Sequence, residues 1–338
     1  MAIDGIIYSG KEVQVGFSDE TTFGTAVVDA GAFNVIPDFG SISIDYGIFQ
    51  DTSARNRGKR IAYDADIYTS QTGGIRVITM NDIVIHHGTL SRLLYGVFQN
   101  VTEGAETPFE KTFSIADTQP DFSSNEGYFF TLGIKNPIAA YDEKFTSCIV
   151  QSLSLHADLI GGDGRLRANA TIISGFANDL AATFSGTWSV EAASTYIDCN
   201  LFDTKTYNTS DMVLYSFNID INNAAKRIGN TIAGNCEGYT IAVPEATITG
   251  SIKAKYDTTI QAANGDYIAG TERVIEWGLA NGTATGDIMF DMNEAQLTNV
   301  SHDDGNDTGI ARDLEFKAVA IAAANPEIRF ADGIDRSW

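Results

Sequence analysis

Residues 149–175 read IVQSLSLHADLIGGDGRLRANATIISG. Leu153, Leu155, Ala157 and Leu159 alternate with Ser152, Ser154, His156 and Asp158. Beyond Gly161-Gly162-Asp163-Gly164, Leu166, Ala168, Ala170 and Ile172 alternate with Arg165, Arg167, Asn169 and Thr171. Period two sends one set of side chains to each face of an extended strand. The glycine-rich stretch between the runs tolerates positive φ, so together they read as one long antiparallel hairpin with a buried and a solvated face.

The same alternation recurs outward from this hairpin. Ile42, Ile44, Tyr46 and Ile48 form one such face, and Tyr215, Phe217, Ile219 and Ile221 another. Ala246, Ile248, Ile252 and Ala254 stand opposite Thr247, Thr249, Ser251, Lys253 and Lys255. Leu314, Phe316, Ala318 and Ala320 stand opposite Asp313, Glu315, Lys317 and Val319. These strands run roughly eight to eleven residues, against ~5–6 for the usual strand, and long strands with one polar face suit a sheet that lines something wet. One segment departs from period two. Leu90, Leu93, Leu94 and Val97 lie at helical spacing after Thr89, which predicts a short helix over about 89–99, capped by Thr89 and packed on a sheet. The fold class is therefore all-β with one short α-helix.

Composition narrows the function. The 338 residues are 43% hydrophobic, enough for a sizeable core, and no linker divides them, so 1–338 reads as a single domain. The irregular stretch 174–211 is a candidate outward insertion. A weak likeness between 41–60 and 216–235 is explained by two ordinary hairpins. Lys plus Arg number 22 and Asp plus Glu 44, for a net charge of −22, which opposes tight binding of nucleic acid. Cys148, Cys199 and Cys236 are odd in number and far apart, suggesting neither a disulfide framework nor a zinc site. The first residues show no basic head with an apolar run, and nothing approaches the ~18 apolar residues of a membrane span.

Chemical motifs are sparse. His86 and His87 are adjacent and, on a strand, would face opposite ways; with His156 and His302 they read as satisfied surface residues. The run 302–307 (HDDGND) lacks the register and distal Glu of a calcium loop and reads as a turn. Neither a phosphate loop nor a Gly-x-Ser-x-Gly elbow occurs. No cofactor and no catalytic residue is indicated. Arg55, Arg57, Lys59 and Arg60 fall within six positions of an acidic chain. They read either as a solvated turn or as an arm that meets an acidic patch on another subunit.

Near the start, residues 16–26 read GFSDETTFGTA. Glu20, Thr21, Thr22, Phe23 and Gly24 resemble the opening motif of a large family of bacteriophage tail tube proteins. Further features follow in that family's order: a strand from Gly73 to His87, the Leu-Leu helix, a strand from Thr112-Phe113, and the long hairpin Ile149 to Gly175. An alternating strand leading to Lys226-Arg227, the Thr249-Gly250-Ser251-Ile252 step and a closing strand Leu314 to Ala320 complete the series. The resemblance implies a β-sandwich subunit that joins its copies in a ring, hexameric or a pseudo-hexameric trimer, stacked into a tube. It implies a virion protein made in the bacterial host cytoplasm and built around a tape measure protein, with sheath, terminator and baseplate proteins as further partners. DNA would pass through the lumen without tight binding, and a lumen of Asp, Glu, Ser and Thr would repel or ignore phosphate. Ser152, Ser154, Asp158, Thr247, Thr249 and Ser251, on the polar faces of the long strands, are candidate lumen residues. Rival readings are a tail terminator or baseplate hub, a β-sandwich carbohydrate- or receptor-binding module, and an all-β glycosidase with two distant carboxylates. The scattered Trp188, Trp277 and Trp338 form no sugar platform, which disfavours the binding module.

Overall fold

The computed structural model describes residues 12–27, 33–47, 49–51, 68–70, 75–104, 109–115, 118–138, 141–180, 182, 184, 186–190, 195–230, 236–241, 246–279, 286–303, 310–318 and 325–332. The first strands are β1 (Gln14–Asp19), β2 (Asn34–Val35), β3 (Ser41–Asp45), β4 (Phe49–Asp51), β5 (Tyr68–Ser70) and β6 (Arg76–Val84). Helix α1 (His87–Phe98) is followed by β7 (Val101–Glu103), β8 (Phe109–Ser114), β9 (Phe130–Lys135), β10 (Glu143–Asp158) and β11 (Arg167–Ser174). Next come β12 (Thr204–Tyr207), β13 (Ser210–Asp211), β14 (Leu214–Asn222), β15 (Lys226–Asn230), β16 (Cys236–Thr240) and β17 (Thr247–Lys255). Helix α2 (Thr258–Ala269) precedes β18 (Glu272–Gly278), β19 (Ile288–Asp303), β20 (Ala311–Ala318) and β21 (Glu327–Asp332). All but four strands join one hydrogen-bonded barrel; β4–β5 and β15–β16 are separate two-stranded sheets. The all-β architecture read from periodicity is the one observed.

The 149–175 hairpin is its centre. β10 and β11 pair from Ile149↔Ile173 to His156↔Arg167, with one register shift between Val150 and Ser152. Leu153, Leu155, Ala157, Ala168, Ala170 and Ile172 are buried, as alternation requires. β11 continues to β6 and β3. On its other edge β10 pairs with β14, then β17, β20 and β19 follow. Leu314, Phe316, Ile248 and Ile252 meet Phe217 and Trp277 in one continuous core. Gly250 lies where β17 crosses this core: a Cβ there would stand 2.6 Å from Phe316 Cζ and 2.7 Å from the Asn218 carbonyl oxygen. Gly250→Ala should therefore lower subunit stability by about 1–3 kcal/mol, read as a lower urea midpoint.

Helix α1 lies inside the fold, with Leu90, Leu93 and Leu94 fully buried. It reaches β10 closely because Gly96 has no side chain; a Cβ would stand 2.7 Å from Val150 Cγ2. Asn223 Nδ2 donates to the carbonyls of Val97 (3.0 Å) and Val150 (2.7 Å), joining the helix end to the strand. Thr89 is not the cap: His86 holds that position without a side-chain bond, and Thr89 lies in the first turn. His86 and His87 are buried at the strand-to-helix junction, not at the surface. His86 packs on Tyr196 with ring centroids 4.1 Å apart.

Other differences have local causes. In β14 a register shift between Leu214 and Ser216 puts Leu214 in the core and leaves Tyr215 half-buried, because a bulge inverts the side-chain phase. Ile48 and Ala320 lie outside the described residues. Helix α2 was not anticipated, since it buries only Ile260, Ala263 and Asp266 and shows no apolar stripe. Its ends carry the usual signals: Asp257 accepts from the Ile260 amide, and Gly270 adopts φ 64°. The described residues of 174–211 lie along the barrel. Phe184 and Trp188 pack on Phe33, while Ile197, Cys199, Phe202 and Tyr207 enter the main core. All three cysteines are free and buried.

Candidate lumen face and N-terminal lock

Strand register brings the six candidate lumen residues onto one surface. Ser152 lies opposite Thr171 on one side and Asn222 on the other, and Asn222 opposite Thr247. In the next row Asn169, Ser154, Asp220, Thr249 and Lys317 follow one another across five strands. A third row runs Arg167, His156, Asn218, Ser251, Glu315 and Asn299. The fourth holds Asp158, Ser216, Lys253, Asp313 and Ser301. With β6 and β3 beyond β11, eight adjacent strands carry this face, about 33 Å across at ~4.8 Å per strand.

The face is polar without being strongly acidic. Lys253 sits directly across from Asp313, and Arg167 Nη1 is 2.7 Å from Asp82 Oδ1. Ser154 Oγ donates to Asn218 Oδ1 at 2.9 Å, and Asn218 Nδ2 to Asp220 Oδ2 at 2.7 Å. The chain's excess of carboxylates is thus not concentrated on this face; paired charges and short neutral side chains dominate. His156 is held below its ordinary pKa, chiefly by burial. Asp158 stands at the end of the face, where its Oδ1 accepts from the Ile160 and Gly161 amides and closes the hairpin turn. Those bonds hold its carboxyl below the usual range.

The N-terminal motif is built into the barrel. β10 pairs with β9 as far as Cys148, shifts register between Phe145 and Cys148, and then joins β11 and β14. Ser147, at this corner, has φ 46° and is fully buried. A strand that changes neighbours this way needs a bulge, and the bulge frees backbone groups that must be satisfied. Glu20 supplies the acceptors: Oε1 takes the Ser147 amide at 2.8 Å and Oε2 the Ser147 hydroxyl at 2.5 Å. Thr131 Oγ1 donates to the same carboxylate at 2.5 Å. The Gly24 amide donates to Ser147 Oγ at 2.7 Å, and Tyr239 Oη donates to the Ser147 carbonyl at 2.6 Å. Burial raises the Glu20 pKa, and the hydroxyl and amide donors oppose that rise. Phe23 fills the space behind the corner, with its ring 5.4–5.8 Å from Phe122, Phe129, Phe176 and Tyr239. Thr22 accepts the Thr25 amide at 3.1 Å, while Thr21 is exposed. Gly24 takes φ 80°, which favours glycine.

Arg55, Arg57, Lys59 and Arg60 lie outside the described residues, as does most of the run 302–307. Among the described residues, no group of His, Cys, Asp and Glu has metal-binding geometry, and no helix is long and apolar enough to cross a membrane.

Comparison with curated proteins returned no match. A family model described as phage tail tube protein matches residues 10–318. That match takes in the N-terminal lock, the long hairpin and the strands of the polar face through β20, and the chain belongs to the phage tail tube protein family.

Proposed function

We propose that this chain is the repeating subunit of the tail tube itself, the major tail protein, and that copies of it close into rings, six-membered or pseudo-sixfold, stacked around a tape measure protein. Membership of a family of tube-forming virion proteins supports self-assembly. The observation that carries the finer reading is the unbroken polar face from β3 to β19, with Ser152, Ser154, Thr247, Thr249 and Ser251 near its centre. This face is assigned to the lumen. Duplex DNA carries one charge per about 1.7 Å, so a conduit must avoid a field that grips phosphate. Short hydroxyl and amide groups with internally paired charges meet that need.

Electron microscopy of purified protein tests assembly. Tubes are expected, and a chain that stays monomeric when concentrated and supplied with tape measure protein would overturn the reading. Replacing Ser154, Thr249 and Ser251 together with Lys tests the lumen. Tubes should still form, and DNA ejection should slow by at least about tenfold at low salt, recovering as salt rises. Ejection at the wild-type rate through intact variant tubes would place this face elsewhere.

A further inference from the structure

On the far half of β19 three carboxylates stand side by side. Glu276 of β18 is directly opposite Asp291, and Asp291 is directly opposite Glu327 of β21. Such positions place Cβ atoms about 4.5–5.5 Å apart, where like charges repel. The row ends in neutral Thr206 on β12 and Ser114 on β8. Thr206 Oγ1 donates to Glu276 Oε2 at 3.2 Å. The cation acting on Asp291 is Arg329, 3.7 Å from Asp291 Oδ2 and 3.4 Å from Glu327 Oε1. Among the described residues Arg329 stands against Asp291 and Glu327, and the Glu276 carboxylate meets Thr206 rather than a cation. Asp291 is only 7% exposed, and its Oδ1 is buried with no hydrogen-bond partner. A buried carboxylate oxygen without a donor is strongly unfavourable, so a further donor or positive group beside Arg329 would stabilise the row.

We propose that the row Glu276–Asp291–Glu327 receives the basic run Arg55, Arg57, Lys59 and Arg60 of a second copy of this chain during tube assembly. The inference rests on the tube reading. Charge complementarity names the occupant: the chain has 22 basic residues against 44 acidic ones, and four of the 22 fall within six positions. Guanidinium groups present planar, multiple donors suited to adjacent carboxylates. A metal ion is the poorer occupant, because the described residues hold no group of ligands with metal-binding geometry.

The contact carries its own pH signature. In the free subunit Asp291 is pushed up to about 6, by burial first and then by Glu276 and Glu327, against Arg329. An arriving cation favours the charged form and lowers that pKa, so the assembled state binds fewer protons. Assembly then strengthens as pH rises through 6 and weakens as it falls.

The test uses full-length protein, with tube formation followed by sedimentation and electron microscopy. The neutral variant E276Q/D291N/E327Q should stay folded and at least as heat-stable as wild type, since repulsion is removed. Its critical concentration for assembly should rise at least about tenfold, and its assembly should lose the step near pH 6. R55E/R57E/K59E/R60E should show the same defect. Combining that reversal with E276K/E327K should restore assembly toward the wild-type level. Wild-type assembly by the neutral variant would overturn the contact while leaving the tube reading intact; failure of wild type to form tubes would instead overturn the tube reading. A fall in the melting temperature of the neutral variant would show that the row is satisfied within one chain. Loss of wild-type assembly in EDTA, with recovery in calcium, would assign the row to a metal. The milder E276Q/E327Q, which keeps Asp291, repeats the comparison if the triple variant does not fold.

Discussion

Glu20→Ala is expected to cost about 3–5 kcal/mol of subunit stability, although Glu20 itself is only partly buried. The cost arises at its partners. Ser147 and Thr131 are both fully buried, and the alanine variant leaves the Ser147 amide, the Ser147 hydroxyl and the Thr131 hydroxyl without their carboxylate acceptor. Hydrogen bonds to a charged group contribute roughly 1.5–3 kcal/mol each, and a buried orphan donor adds its desolvation. Ser147 also needs its φ of 46° held against relaxation, because β10 leaves β9 and joins β11 at that point. Glu20→Gln keeps one carbonyl oxygen and should cost about half as much. Urea unfolding of the unassembled subunit measures both. A Glu20→Ala variant as stable as wild type would show that strand register alone holds the corner.

Trp277→Ala is expected to cost about 3–5 kcal/mol, the usual range for removing a buried Trp. Trp277 is fully buried on β18 and stacks on Phe290 at 5.3 Å and 18°. Its ring also lies 5.6 Å from Phe217 and 6.1 Å from Phe316. It therefore joins β14, β19 and β20 behind the polar face. The cavity left by alanine cannot be filled by neighbours that are themselves strand-bound. Thermal and urea unfolding should shift together. Trp277→Phe, which keeps a ring on Phe290, should recover more than half of the loss. The variant's failure to assemble at temperatures where wild type forms tubes would follow from unfolding, so assembly is to be compared well below its melting point.

These two sites differ in how readable they were. The motif at Glu20–Gly24 was visible as a resemblance, but its work was not, because Ser147 is remote in sequence and ordinary by itself. The partnership exists only because β1 and β10 both flank β9. In sequence Trp277 is one of three scattered tryptophans. β19 is not legible as a strand from period two: its apolar positions 288, 290, 292, 295, 297 and 300 break the alternation, and register shifts in its pairing with β18 and β20 absorb the breaks. Bulges change the phase of alternation, so a strict pattern search loses the strand at the point where the sheet bends. Helix α2 was lost for a related reason, since a helix that buries three residues leaves no stripe to find.

Sequence alone determined what depends on near neighbours. Alternation set the buried and solvated faces of β10, β11, β17 and β20, the glycine-rich turn closed the hairpin, and helical spacing placed α1. Each is a property of a short window, because side-chain direction repeats every two or every 3.6 residues. Tertiary structure decided which windows stand side by side. It placed Ser154 beside Asp220 and Asp220 beside Thr249 to make one polar face, set Glu20 against Ser147, and lined up Glu276, Asp291 and Glu327 with Arg329 against the last two. Cross-strand neighbours are selected by pairing between distant segments, and a one-residue slip would send every one of those side chains to the other face.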